Sequence, residues 1–72
     1  MEIIFSRHAK RQMRWREITE EEVKLTLSEY DKIEDSVKGR RSAFKKINTR
    51  LIKVTFRKED NKITVITALE RK

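Results

Sequence analysis

The spacing of apolar residues changes period along the chain, and each change predicts an element. Ile3, Ile4 and Phe5 form a short apolar run that predicts a strand over residues 2 to 5, ended by Ser6. Ser6 then serves as an N-cap for a helix running through Glu17, because its hydroxyl can accept from the free N–H groups of a first helical turn. On that helix Ala9 and Met13 share one face, while Arg7, Lys10, Arg11 and Arg14 fill a separate arc, so one side packs and another is a cationic stripe. Thr19 followed by Glu22 is a capping box, and Glu20 and Glu21 add negative charge at the positive end of a helix dipole. A second helix starts there, with Val23, Leu27 and Tyr30 at i, i+4 and i+7 as its apolar stripe and Leu25 off it.

From residue 31 the period becomes two. Ile33 and Val37 alternate with polar residues. Lys38-Gly39-Arg40-Arg41 then makes a turn in which Gly39 is free to take a positive φ, and a hairpin leads into a strand over Ser42 to Ile47. Asn48-Thr49-Arg50 is the next turn, after which Ile52, Val54 and Phe56 point one way and Lys53, Thr55 and Arg57 the other. Glu59-Asp60-Asn61 turns the chain again before a last strand from Lys62 to Glu70. The predicted fold is one α+β domain over residues 1 to 72, in the order β-α-α-β-β-β-β, with an antiparallel meander closing on two helices.

Composition narrows the chemistry. At 72 residues with 36% hydrophobic content the core is thin, because a chain this short buries only about 60% of its unfolded surface. There is no cysteine and a single histidine, His8, so thiol catalysis, disulfides and a multi-histidine metal centre within one chain are excluded. The single Gly39 cannot build a glycine-rich phosphate loop, and no cofactor is implied. No apolar run reaches the ~18 residues of a membrane span, and no signal-peptide core is present, so a cytoplasmic protein with no membrane partner is expected. Abundant Lys, Arg and Glu with no Cys also suit a thermophile.

Charge then supplies the functional expectation. The formal net charge is +7 and it is segregated: residues 7 to 16 carry five bases and no acid, residues 17 to 35 two bases and eight acids, and residues 37 to 58 nine bases and no acid. Single-sign blocks repel themselves, so clustering points to an anionic ligand, with RNA or DNA foremost. If helix one lies beside the meander, the two basic stretches form one continuous landing surface with the acidic helix turned elsewhere. Arg7, Lys10, Arg11 and Arg14 on the helix, Arg40 and Arg41 at the Gly39 turn, and Lys46 are its candidate phosphate contacts. Trp15, at the edge of the cationic arc, is the candidate stacking ring, against the alternative of a half-buried core residue.

Four stretches together carry a resemblance over essentially the whole chain. They are His8-Ala9-Lys10-Arg11-Gln12-Met13 with Arg16, Ile18-Thr19-Glu20-Glu21-Glu22-Val23, Ile33-Glu34-Asp35, and Ile63-Thr64-Val65-Ile66-Thr67-Ala68. The pattern resembles a small uncharacterised domain family of bacteria and archaea that is grouped with the RelE/ParE toxin superfamily. The resemblance implies a two-helix hairpin packed on a twisted antiparallel sheet. For RelE-like members it implies an mRNA endonuclease, ribosome-dependent or free, that an antitoxin neutralises. Such toxins cut without metal, using basic side chains and often a C-terminal tyrosine on the ribose 2′-hydroxyl and the scissile phosphate. Lys45, Lys46, Lys53 and Arg57 lie on the strands where those basic groups are expected, whereas the last strand ends Ala68-Leu69-Glu70-Arg71, without the common aromatic.

Cleavage by internal attack needs a proton acceptor, a proton donor and cations around the phosphorane. Histidine is the side chain whose ordinary pKa lies near neutrality, which makes His8 the candidate proton shuttle, with packing or capping at the helix start as its alternative role. Arg57, ahead of Lys53, is the candidate phosphate clamp because a guanidinium grips phosphate bidentately, and Lys45 completes the candidate catalytic set. Lys45 and Lys46 point to opposite faces of one strand, so at most one joins a given site. Three readings follow: a RelE-like ribonuclease toxin, a noncatalytic nucleic-acid-binding module, and a unit whose basic face docks an acidic antitoxin segment. The thin core and Leu25 also permit a homodimer.

Overall fold

Residues 2–71 are described by a computed structural model, with elements β1 (Glu2–Phe5), α1 (Arg7–Arg16), α2 (Glu20–Ser28), β2 (Lys32–Asp35), a 3-10 turn at Val37–Gly39, β3 (Arg41–Ile47), β4 (Arg50–Glu59) and β5 (Lys62–Arg71). The order is the one expected. Both helices start where their caps place them. Ser6 Oγ accepts from the Ala9 N–H at 3.0 Å. Thr19 Oγ1 accepts from the Glu22 N–H at 3.1 Å while the Glu22 carboxylate accepts from the Thr19 N–H at 2.9 Å, which closes the capping box.

The second helix ends sooner than its apolar spacing suggests. It stops at Ser28, so Tyr30 lies beyond it and is 46% exposed. The buried stripe runs instead through Val23, Thr26 and Leu27. Thr26 tolerates full burial because its hydroxyl donates to the Glu22 carbonyl at 2.8 Å, one turn back. Val37 likewise leaves the strand pattern: Lys38 and Gly39 both take left-handed conformations (φ 58° and 74°), so the turn opens at Val37, which is 69% exposed.

The sheet has the order β1-β5-β4-β3-β2. Strands β2 to β5 form the expected antiparallel meander, joined at Asn48 and Asp60, which take φ values of 58° and 52° in two-residue connections. β1, however, joins β5 in parallel, so the sheet is mixed and not wholly antiparallel. Tight turns force antiparallel pairing only between consecutive strands, and β1 is separated from the meander by both helices. Its direction is set by the Ser6 junction, where the Ser6 N–H donates to the Val65 carbonyl at 3.0 Å and Ser6 Oγ to the Ile66 carbonyl at 3.1 Å. Ile66 sits at a β-bulge between the Thr55–Thr67 and Phe56–Val65 pairs.

Both helices lie on one face of the sheet, α1 against β5 and α2 against β3 and β4. Ala9, Met13, Ile18 and Val23 pack there on Ile52, Val54, Val65 and Ala68. Among the described residues no element covers the other face. No described helix is long and apolar enough to cross a membrane.

Candidate nucleic-acid interface

Strand alternation divides the basic residues of the meander between the two faces. On β4, Ile52, Val54 and Phe56 are buried on the helix side, which places Lys53, Thr55 and Arg57 on the open side. Register carries the same face onto β3 through the pairs Ser42–Thr55, Phe44–Lys53 and Lys46–Leu51, and onto β5 through Thr64–Arg57 and Thr67–Thr55. Arg40 has extended backbone (φ −88°, ψ 162°), so the alternation of β3 continues through it to the open side, next to Arg57. The result is a floor of hydroxyls with cations standing around it. Ser42 Oγ and Thr55 Oγ1 are hydrogen-bonded at 2.9 Å across the centre.

The faces differ in how their charges are answered. On the helix side Arg41 Nε lies 3.3 Å from Asp35, and Lys45 Nζ donates to the Glu29 carbonyl at 3.0 Å and lies 3.8 Å from Asp31. Arg50 is held most firmly: its Nε bonds Glu70 at 3.2 Å, its two terminal nitrogens bond the Glu17 and Arg16 carbonyls at 3.2 and 2.7 Å, and Glu22 lies at 4.0 Å. On the open side, among the described residues, Arg40, Lys46, Lys53 and Arg57 take part in no ion pair. Arg40 Nε is buried without a hydrogen-bond partner. The acids of this face stand at its margins: Glu2 on one edge strand, Glu34 on the other, paired with Lys32 at 3.0 Å, and Glu59 at the end of β4.

The expected site residues therefore separate into three places. Arg57, Lys53, Arg40 and Lys46 come together on the open face. Lys45 and Arg41 are on the helix side, engaged with carboxylates. His8, Arg7, Lys10, Arg11 and Arg14 are exposed on α1, whose buried residues Ala9 and Met13 face the sheet from the helix side. Trp15 is 85% exposed, not half-buried, and lines a shallow cavity of about 310 Å³ with Arg16. The two basic stretches do not merge into a single surface. Alternation sends every second meander cation through the sheet to the side away from the helices, so the sheet itself stands between Arg57 and the α1 stripe. His8 and Arg57 do not share a site.

Two residues of the open face lie outside the expected set. Ser42 and Phe44 could be found only from β3 register. Arg50, read as a turn residue, is the first residue of β4, because Asn48 and Thr49 alone make the connection.

Beside α2 on the helix side, Leu27, Tyr30, Ile33, Phe56 and Ile63 line an apolar groove of about 280 Å³ together with Arg41 and Lys58. The chain finds no match among curated proteins and none among solved structures. Residues 5–70 match the family described as a domain of unknown function, DUF4258. That match spans both helices and nearly all of the sheet, and the chain belongs to the DUF4258 family.

Proposed function

We propose that this domain binds single-stranded RNA along its phosphodiester backbone on the open sheet face, as an RNA-binding component of the RelE/ParE toxin type. The observation that carries the reading is the contrast in charge pairing. Lys53, Arg57, Arg40 and Lys46 stand without carboxylates on an uncovered face, whereas Arg41, Lys45 and Arg50 of the same meander are held on the other. Unpaired guanidinium and ammonium groups above a row of hydroxyls suit phosphate oxygens, Arg57 as a two-pronged clamp and Lys53 as a point charge. Binding is the basic activity. Internal cleavage needs an acid-base pair beside the clamp, and His8 lies across the sheet from it, while β5 ends without an aromatic.

Fluorescence anisotropy with a labelled single-stranded RNA, titrated between about 50 and 200 mM salt, tests this. Affinity falls steeply with salt, Arg57→Ala and Lys53→Ala weaken binding, and Arg11→Ala with Arg14→Ala leaves it nearly unchanged. Absence of binding at the lowest salt overturns the reading, as does loss confined to the α1 variants. Slowed growth on expression, with RNA cleavage that Arg57→Ala abolishes, would convert it to a nuclease.

The apolar groove favours a second, compatible reading. Arg41 and Lys58 beside Leu27, Tyr30, Phe56 and Ile63 suit an acidic, partly apolar antitoxin segment. Coexpression with the product of an adjacent reading frame, scored by a rise in Tm, tests it; no change in Tm rejects it.

A further inference from the structure

Phe44 is the aromatic ring of the open face among the described residues, and its position is unusual. It lies outside the core between the helices and the sheet, yet it is only 6% exposed on a face that no described element covers. Side chains cover it. Lys32 of β2 and Lys53 of β4 are its register partners on the two neighbouring strands, and their ammonium groups sit over the ring at 5.8 and 5.7 Å from its centre. Such cation–π contacts are weak where solvent reaches the cation, the ion pair of Lys32 with Glu34 is solvent-exposed and weak as well, and lysine stems are flexible, so this cover is displaceable. The ligand that best displaces it carries negative charges for the ammoniums and a flat ring for the surface they leave.

We infer that Phe44 is a base-stacking platform, shielded in the free protein by Lys32 and Lys53 and opened when their ammonium groups move onto phosphates. This rests on the RNA-binding reading and adds to it what the face reads. One unpaired base stacks on Phe44 while the flanking phosphates take the two lysines. The ligand is accordingly single-stranded, because bases in a duplex already stack on one another. The platform tolerates any base, since stacking uses the ring face and not the hydrogen-bonding edge.

The test compares a labelled oligouridine with an abasic ribose-phosphate oligomer of equal length, on the native protein and on Phe44→Leu. The native protein binds the oligouridine about tenfold more tightly, the size of one base stacked on an aromatic side chain. Phe44→Leu brings the two oligomers to parity, and Phe44→Tyr keeps the preference. Equal binding of both oligomers by the native protein overturns the inference without any variant, and so does a preference that survives Phe44→Leu. If both oligomers bind equally well the RNA-binding reading stands alone; if neither binds, it falls as well.

Discussion

The two faces of this sheet draw on the same basic segment and use it differently. Toward the helices, Arg41, Lys45 and Arg50 lie among the carboxylates that α2, its following loop, β2 and β5 supply, and there the cations hold elements together. Away from the helices, Arg40, Lys46, Lys53 and Arg57 take part in no ion pair among the described residues, and Lys53 stands over the Phe44 ring. A count of charges along the chain treats all seven alike. What separates them is whether the residue number is odd or even on β3 and β4, which decides the face. The unanswered set meets a phosphate without breaking an ion pair, whereas a cation already hydrogen-bonded to a carboxylate must first lose that bond.

Substitutions on each face sharpen this division. The largest effect is expected in the core that fixes the helices on their side. Ile52→Ala removes a fully buried side chain beneath them and costs about 2–5 kcal/mol, read as a lower urea midpoint; in so small a domain that removes much of the stability. Arg50→Ala comes next, at about 1–3 kcal/mol, because it leaves Glu70 and two carbonyls at the end of α1 without their donor. Arg50→Lys recovers only part, since an ammonium cannot span those acceptors. Denaturation showing no loss for Arg50→Ala would erase the distinction between structural and free cations.

On the open face the readout changes from stability to salt dependence. The double variant Lys53→Ala, Arg57→Ala lowers the slope of log affinity against log salt by about 1.4, corresponding to two phosphates on a single strand. Its urea midpoint shifts little, within about 0.5 kcal/mol. Arg41→Ala leaves that slope in place. Equal slopes for the open-face and helix-side variants would mean that the faces do not differ in function. Thr19→Ala touches neither face's cations and costs less than Arg50→Ala, about 1 kcal/mol from one lost cap, with RNA affinity unchanged.

Much of this was legible in the residues. Ser6, and Thr19 with Glu22, announced both helix starts because capping is local chemistry. The alternation from Ile52 to Arg57 placed Lys53, Thr55 and Arg57 on one face because a pleat leaves no other choice. Tyr30 has the spacing of a stripe that the helix does not reach, since the end of α2 is decided by the chain turning into β2. Thr26 carries no apolar signal, yet a hydroxyl bonded to its own helix packs like an apolar group. Trp15 could not be placed either, as a residue in the last turn of α1 is buried or bare according to what lies beside it.

Local rules thus fixed the element order, the turns, the caps and the face of each β4 residue, since each depends on neighbours a few positions away. They could not fix the direction of β1, the reach of Arg50 to three elements, or the distance between α1 and Arg57. Those depend on which face the helices cover, and that is settled by apolar surfaces far apart in the chain finding one another. The same packing leaves the other face of the sheet open and its cations unanswered.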